Sequence, residues 1–243
     1  MASIYETGHA KNVATFEDLI SFCTGYGVTY NPSKVALKLP ALNTQLTAAN
    51  AALQAVKTAK TALDNATNAR ELAFKPLKPL ATKIVSALAA TEATAQTVDD
   101  VKSVNMKIQG RRAKTIAKPA DGVEPPKTVS TSQQSYDRLI DHFTQMIATL
   151  TAEPKYLPNE NELKLVALNT LLTDLKAKNT GVITATTGSS NARIARDKAL
   201  YAEITGLIDT ALAVKLYVKS LFGASSPQYK QVSGLKFTNR TVD

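Results

Sequence analysis

The sequence of 243 residues has no tryptophan, a single cysteine and two histidines, and only 6% of its residues are aromatic. One cysteine, Cys23, excludes an intramolecular disulfide framework. His9 and His142 have no cysteine or carboxylate at metal-ligand spacing beside them, and the sequence has no glycine-rich phosphate-binding loop. The sequence therefore predicts no metal, no cofactor and no catalytic residue, which indicates a protein that is not an enzyme.

Long hydrophobic runs are also missing. No apolar stretch reaches the ~18–20 residues that a membrane-spanning helix needs, so we expect no membrane insertion, and a pore-forming role is disfavoured. The segment 1–9 lacks the basic and apolar regions of a classical signal peptide. These features predict a cytoplasmic protein, with export by a route that needs no cleavable signal left open.

Alanine makes up about a third of the hydrophobic fraction of 44%. Alanine has the highest helix propensity of all residues but provides little apolar area to bury. We therefore expect an all-α protein in which long Ala- and Thr-rich helices pack antiparallel along narrow seams, in a bundle-like arrangement with extended connectors and tails.

The sequence contains an internal repeat with a constant offset of 126 residues. Tyr30-Asn31-Pro32 is matched by Tyr156-Leu157-Pro158, and the segment 37–47 is matched by the segment 163–173. Both halves also contain an Asn-Ala-Arg motif. A repeated unit of this size predicts a tandem duplication of one helical module. The predicted division is repeat 1 at residues 1–112, a proline-containing linker at 113–132, and repeat 2 at 133–243.

Each repeat is predicted to centre on one long helix, which starts near Pro40 in the first and near Val166 in the second. Apolar residues follow at alternating steps of four and three, as in a heptad seam. This spacing predicts that six aliphatic side chains are buried: Leu46, Leu53, Val56, Leu168, Leu172 and Leu175. We expect Thr15 to cap the first helix of the chain, and Thr97 and Ser226 to precede short helices that end at Gly110 and Gly234.

Two arginines of the repeated motif, Arg70 and Arg193, fall on the predicted seams. An arginine in a seam needs either a carboxylate partner or a bound anion. The two arginines could form equivalent anion sites, or each could pair with an acidic residue of a neighbouring helix. We favour the second interpretation. The strip of Arg111, Arg112 and Lys114 is either a phosphate or nucleic-acid contact or a solvated helix end.

The combination of long helices and missing chemistry predicts a structural or scaffolding protein. It would act through helix-mediated contacts with a protein partner or with itself as a homo-oligomer. The alternative is a basic nucleic-acid-binding accessory protein, because the net charge is +9 and the pI is about 9.5. A positive charge spread along the whole chain also serves solubility, so it does not decide between the two.

Overall fold

The computed structural model describes residues 8–110 and 134–239, which form eight α-helices and three short 3₁₀ helices with no β-strand. This confirms the predicted all-α, bundle-like fold. The α-helices are α1 (His9–Gly25), α2 (Leu39–Phe74), α3 (Leu77–Ala89), α4 (Ala95–Gln109), α5 (Tyr136–Ala152), α6 (Leu165–Tyr201), α7 (Leu207–Phe222) and α8 (Pro227–Ser233). The 3₁₀ helices are η1 (Gly27–Thr29), η2 (Val35–Leu37) and η3 (Asn161–Leu163).

The chain divides into two compact units whose members come from both halves of the sequence. Unit 1 combines Met1–Leu63 with Ala185–Asp243, and unit 2 is Asp64–Thr184. The residues of α2 and of α6 are therefore shared between the units. The predicted division at 1–112, 113–132 and 133–243 follows the internal repeat and stays a prediction, and its linker lies outside the described residues.

The core of each unit is formed by short helices from opposite repeats. In unit 1, α1 packs against α7 and α8, and Phe16, Leu42 and Val214 are fully buried. In unit 2, α4 packs against both α3 and α5, and Ile108 and Phe143 are fully buried. The first helix of one repeat is thus buried against the last helices of the other repeat.

The two copies of the repeated motif adopt the same local structure. The buried hydroxyl of Tyr30 donates to the carbonyl oxygen of Leu37 at 2.7 Å, and that of Tyr156 donates to the carbonyl oxygen of Leu163 at 2.9 Å. In each repeat, this hydrogen bond joins the two ends of the connector that precedes the long helix. The tandem duplication of whole modules stays a prediction.

The ends of several helices confirm the sequence patterns, and two predicted caps are wrong. Helix α4 ends at Gly110, which has a left-handed backbone (φ of 76°), and Ser226 caps α8. Thr15 caps nothing, because α1 begins at His9 and Thr15 is buried inside it. The cap of α4 is Thr94 rather than Thr97, and its side chain accepts a hydrogen bond from the backbone N–H of Thr97.

The predicted burial of the seam residues is confirmed on α6 but not on α2. Leu168, Leu172 and Leu175 are buried. On α2 the prediction was wrong, because three residues that it placed in the core are only half-buried: Leu46, Leu53 and Val56. Leu53 lines a groove of about 450 Å³ beside α1, whose facing residues there include Ala10 and Ala14. Alanine side chains are too small to cover a leucine, so the seam stays open.

Leu46 and Leu172 occupy matching positions in the two repeats and provide a paired test of this difference. Leu172→Ala should lower the free energy of unfolding by about 2–4 kcal/mol, because it leaves a cavity in a closed core. Leu46→Ala should cost clearly less, because water already reaches that side chain. Urea unfolding of both variants measures the two losses, and equal losses would show that the two seams are equally closed.

Candidate functional site

The structure places the two predicted seam arginines in different environments. Arg70, on α2, is half-buried in unit 2, whereas Arg193, on α6, is exposed. The two side chains therefore do not form equivalent sites. The remaining predicted contacts, Arg111, Arg112 and Lys114, lie outside the described residues.

Arg70 is part of a chain of polar contacts. Its Nη1 donates to Oδ1 of Asn179 at 3.1 Å, and Nδ2 of Asn179 donates to Oδ1 of Asp137 at 2.8 Å. The guanidinium carbon lies 4.0 Å from the ring centroid of Tyr136, a cation–π distance. Arg70 thus pairs within the bundle, but it reaches the acid through an asparagine rather than directly.

This contact network fixes the start of α5. Tyr136 is the first residue of the helix, and its ring also packs edge-to-face on Phe74, with centroids 4.8 Å apart. Nε of Arg70 is buried and has no hydrogen-bond partner among the described residues. Arg70 therefore contacts Asn179 and Tyr136 and keeps one donor unsatisfied within the described part of the chain.

The position of Arg70 corresponds in the second repeat to Arg196, not to Arg193. In unit 1, Nη2 of Arg196 lies 2.7 Å from Oδ1 of Asp197. Nδ1 of His9 lies 4.0 Å from the same oxygen and 2.7 Å from the hydroxyl of Tyr201. Sequence reasoning missed this cluster because it followed the Asn-Ala-Arg motif, whereas the constant offset of 126 that aligns the long helices leads to Arg196.

The only cysteine of the sequence, Cys23, and one of its two histidines, His142, are buried. Burial raises the pKa of the Cys23 thiol to about 11, so the thiol stays protonated at neutral pH. Burial, aided by the charge of Lys107, lowers the pKa of His142, whose Nε2 has no hydrogen-bond partner among the described residues. Within residues 8–110 and 134–239, no group of three His, Cys, Asp or Glu side chains is placed to hold a metal ion.

A groove of about 880 Å³ lies in unit 2, where the end of α2 meets the starts of α3 and α5. We call it the α2–α5 groove. Buried apolar side chains form its floor, and Leu72, 69% exposed, stands at its edge. Its lining residues are Asn68, Glu71, Leu72, Phe74, Lys75, Leu77, Lys78, Gln134, Tyr136 and Leu139.

Unit 1 exposes a group of aliphatic side chains, which we call the α7 corner and define as Val35, Leu212 and Leu216. Leu212 and Leu216 are 48% and 66% exposed and stand one helical turn apart on α7, so they share a face. Val35, 71% exposed, belongs to η2, the 3₁₀ helix that packs against α7.

The corresponding corner of unit 2 is polar. The buried positions of α3 and α7 have the same spacing, since Leu77, Ala81, Ile84 and Leu88 correspond to Leu207, Ala211, Val214 and Val218. In this alignment Thr82 and Ser86 replace the two exposed leucines, and Asn161 replaces Val35 through the repeat offset. Lys83 and Glu162 form an ion pair of 2.8 Å at the same corner.

In comparisons with known proteins, no family model, no curated protein and no solved structure matches the chain. None of the helices in the described part combines the length and the apolar character that crossing a bilayer requires.

Arg70→Ala should lower the free energy of unfolding by about 1–3 kcal/mol, because it leaves Asn179 without its donor and Tyr136 without its stacked cation. Arg193→Ala should change stability by less than about 0.5 kcal/mol, since that side chain is exposed. Thermal melting of both variants, with and without phosphate, measures this. A variant with both substitutions is the control for anion binding. A rise in Tm on adding phosphate that occurs in the wild type and is lost in this double variant would instead support two anion sites.

His142 should make the protein less stable at mildly acidic pH. Its pKa in the folded protein lies below the ordinary value of 6.5, so the unfolded chain binds the proton more readily. The stability that neutral His142 contributes is therefore fully present above the ordinary pKa of 6.5. It is lost as the pH falls from there through the lower pKa of the folded state. Urea unfolding from about pH 7 to about pH 5 should show a steeper loss in the wild type than in His142→Leu. Parallel pH profiles would contradict this.

Proposed function

We propose that this protein is a non-catalytic scaffolding element that acts through helix-mediated protein–protein contacts, including association with itself. The observation that carries the proposal is the α7 corner. Leucines on the exposed face of a helix are costly to keep in water, and contiguous exposed apolar side chains mark interaction sites. A corner that associates with a partner explains why these residues are aliphatic.

The second unit serves as an internal reference for this inference. Thr82, Ser86 and Asn161 stand at the matching positions in unit 2, on a helix with the same buried spacing. The helix and its 3₁₀ turn thus form without aliphatic residues there. The aliphatic residues of unit 1 are therefore explained by a contact outside the unit rather than by the needs of the fold.

Self-association is the form that we propose first. Two identical apolar patches satisfy each other in a twofold, isologous contact, in which each copy contributes the same residues. Such a contact buries Leu212 and Leu216 of both copies without requiring a charged partner. The described ion pair at the matching corner of unit 2, between Lys83 and Glu162, would make a similar contact there costly to desolvate.

Replacing the α7 corner with the residues of unit 2, as Val35→Asn, Leu212→Thr and Leu216→Ser, should abolish self-association without loss of helix. The control is Leu157→Asn, which replaces an 81% exposed leucine with the residue at the matching position of repeat 1. Size-exclusion chromatography with light scattering should show an oligomer for the wild type and the control, and a monomer for the triple variant. A monomeric wild type, or an oligomeric triple variant, would refute self-association through this corner.

The second candidate is nucleic-acid binding, which the net charge of +9 favours. Lys75 and Lys78 form no ion pair with a described residue, so these charges are available to phosphates. Binding of random single-stranded DNA should then weaken steeply as salt rises, because each neutralised phosphate releases counterions. Affinity without a salt slope would exclude this candidate.

A further inference from the structure

We propose that the α2–α5 groove of unit 2 binds a small organic anion with an aromatic or aliphatic body and one carboxylate group. This site is separate from the α7 corner and does not depend on the proposed scaffolding function. The proposal stands on the shape of the groove, its apolar floor and the unpaired polar groups at its edge.

The groove has the size and the lining of a small-molecule site. Its volume of about 880 Å³ falls in the range of ~300–1,000 Å³ that is typical of ligand pockets. Phe74, Leu77 and Leu139 are nearly inaccessible to water and form an apolar floor, while the exposed Leu72 provides an apolar wall. An apolar body that lies in the groove would cover Leu72.

Tyr136, one of the lining residues, is held in place before any ligand arrives. Its ring packs edge-to-face with Phe74, with centroids 4.8 Å apart, and the guanidinium carbon of Arg70 lies 4.0 Å from its centroid. Gln109 adds a second anchor, because its Nε2 donates to the carbonyl oxygen of Lys78 at 2.8 Å. A pre-formed site loses little conformational entropy on binding.

The polar groups at the edge favour an anion. Lys75 and Lys78 are exposed, and neither forms an ion pair with any residue that the structure describes. Glu71 offsets one of the two positive charges and leaves the lining with a net charge of +1. The hydroxyl of Tyr136 also lacks a partner among the described residues, so it can donate to a carboxylate oxygen.

The matching place in unit 1 shows the opposite arrangement. There, the counterpart of Lys75 is Tyr201, which bonds to His9, and the counterpart of Glu71 is Asp197, which pairs with Arg196. The side-chain amide of Asn12 exchanges two hydrogen bonds with the backbone of Thr238, so the chain's own tail satisfies it. At the repeat offset of 126, the two lysines of the groove thus have uncharged counterparts in unit 1, which are Tyr201 for Lys75 and Ile204 for Lys78.

The test is calorimetric titration of the full chain with 2-naphthoate, with the neutral 2-naphthamide as the charge control. We expect one saturable site at which the carboxylate binds at least ~10-fold more tightly than the amide, the factor that corresponds to about 1.4 kcal/mol. Backbone NMR shifts on adding 2-naphthoate should cluster around Leu72, Lys75 and Tyr136.

Two double variants locate the site. Lys75→Gln with Lys78→Gln should reduce the preference for the carboxylate to less than about twofold. Lys34→Gln with Lys38→Gln removes the same charge from exposed positions in unit 1 and should leave the preference unchanged. The proposal is overturned by an absence of saturable binding, by equal affinity for the amide, by shifts located elsewhere, or by equal behaviour of the two double variants.

Discussion

The structure depends on two helices that each contribute to both compact units. Helix α2 has 36 residues and α6 has 37, so they extend for about 54 Å and about 56 Å at 1.5 Å per residue. Their apolar stripes are narrow and are interrupted by alanine, asparagine and threonine. In each unit the first helix of one repeat packs against late helices of the other: α1 packs against α7 and α8, and α5 packs against α4.

Two units of similar construction allow the requirements of the fold to be separated from those of function. Features that recur in both units are explained by the fold. An example is the hydrogen bond from Tyr30 to Leu37 and its equivalent from Tyr156 to Leu163. Character that differs at matching positions needs another explanation. The α7 corner is aliphatic in unit 1 and polar in unit 2, and the α2–α5 groove carries Lys75 and Lys78 where unit 1 has Tyr201 and Ile204 at the offset of 126. Both proposed interactions arise from such differences.

The sequence predicted the helical class, the long helices and the buried stripe of α6, because these depend on local periodicity. It failed for Leu53, because periodicity shows which face of a helix turns inward but not whether the facing helix carries side chains large enough to cover it. The predicted counterpart of Arg70 was Arg193, because both belong to an Asn-Ala-Arg motif. The register of the whole helix instead aligns Arg70 with Arg196. The α7 corner was not predictable, since Val35 and Leu216 are distant in the sequence and only the packing of η2 against α7 relates them.

The most direct test of this account is to produce residues 1–122 and 123–243 as separate chains and as a mixture. Because each compact unit takes helices from both halves, we expect each chain alone to show little cooperative unfolding and a poorly dispersed NMR spectrum. The mixture should form a stable one-to-one complex with the helical content and melting behaviour of the intact protein. A cooperatively folded, monomeric 1–122 chain that does not bind the other half would contradict the shared composition of the units.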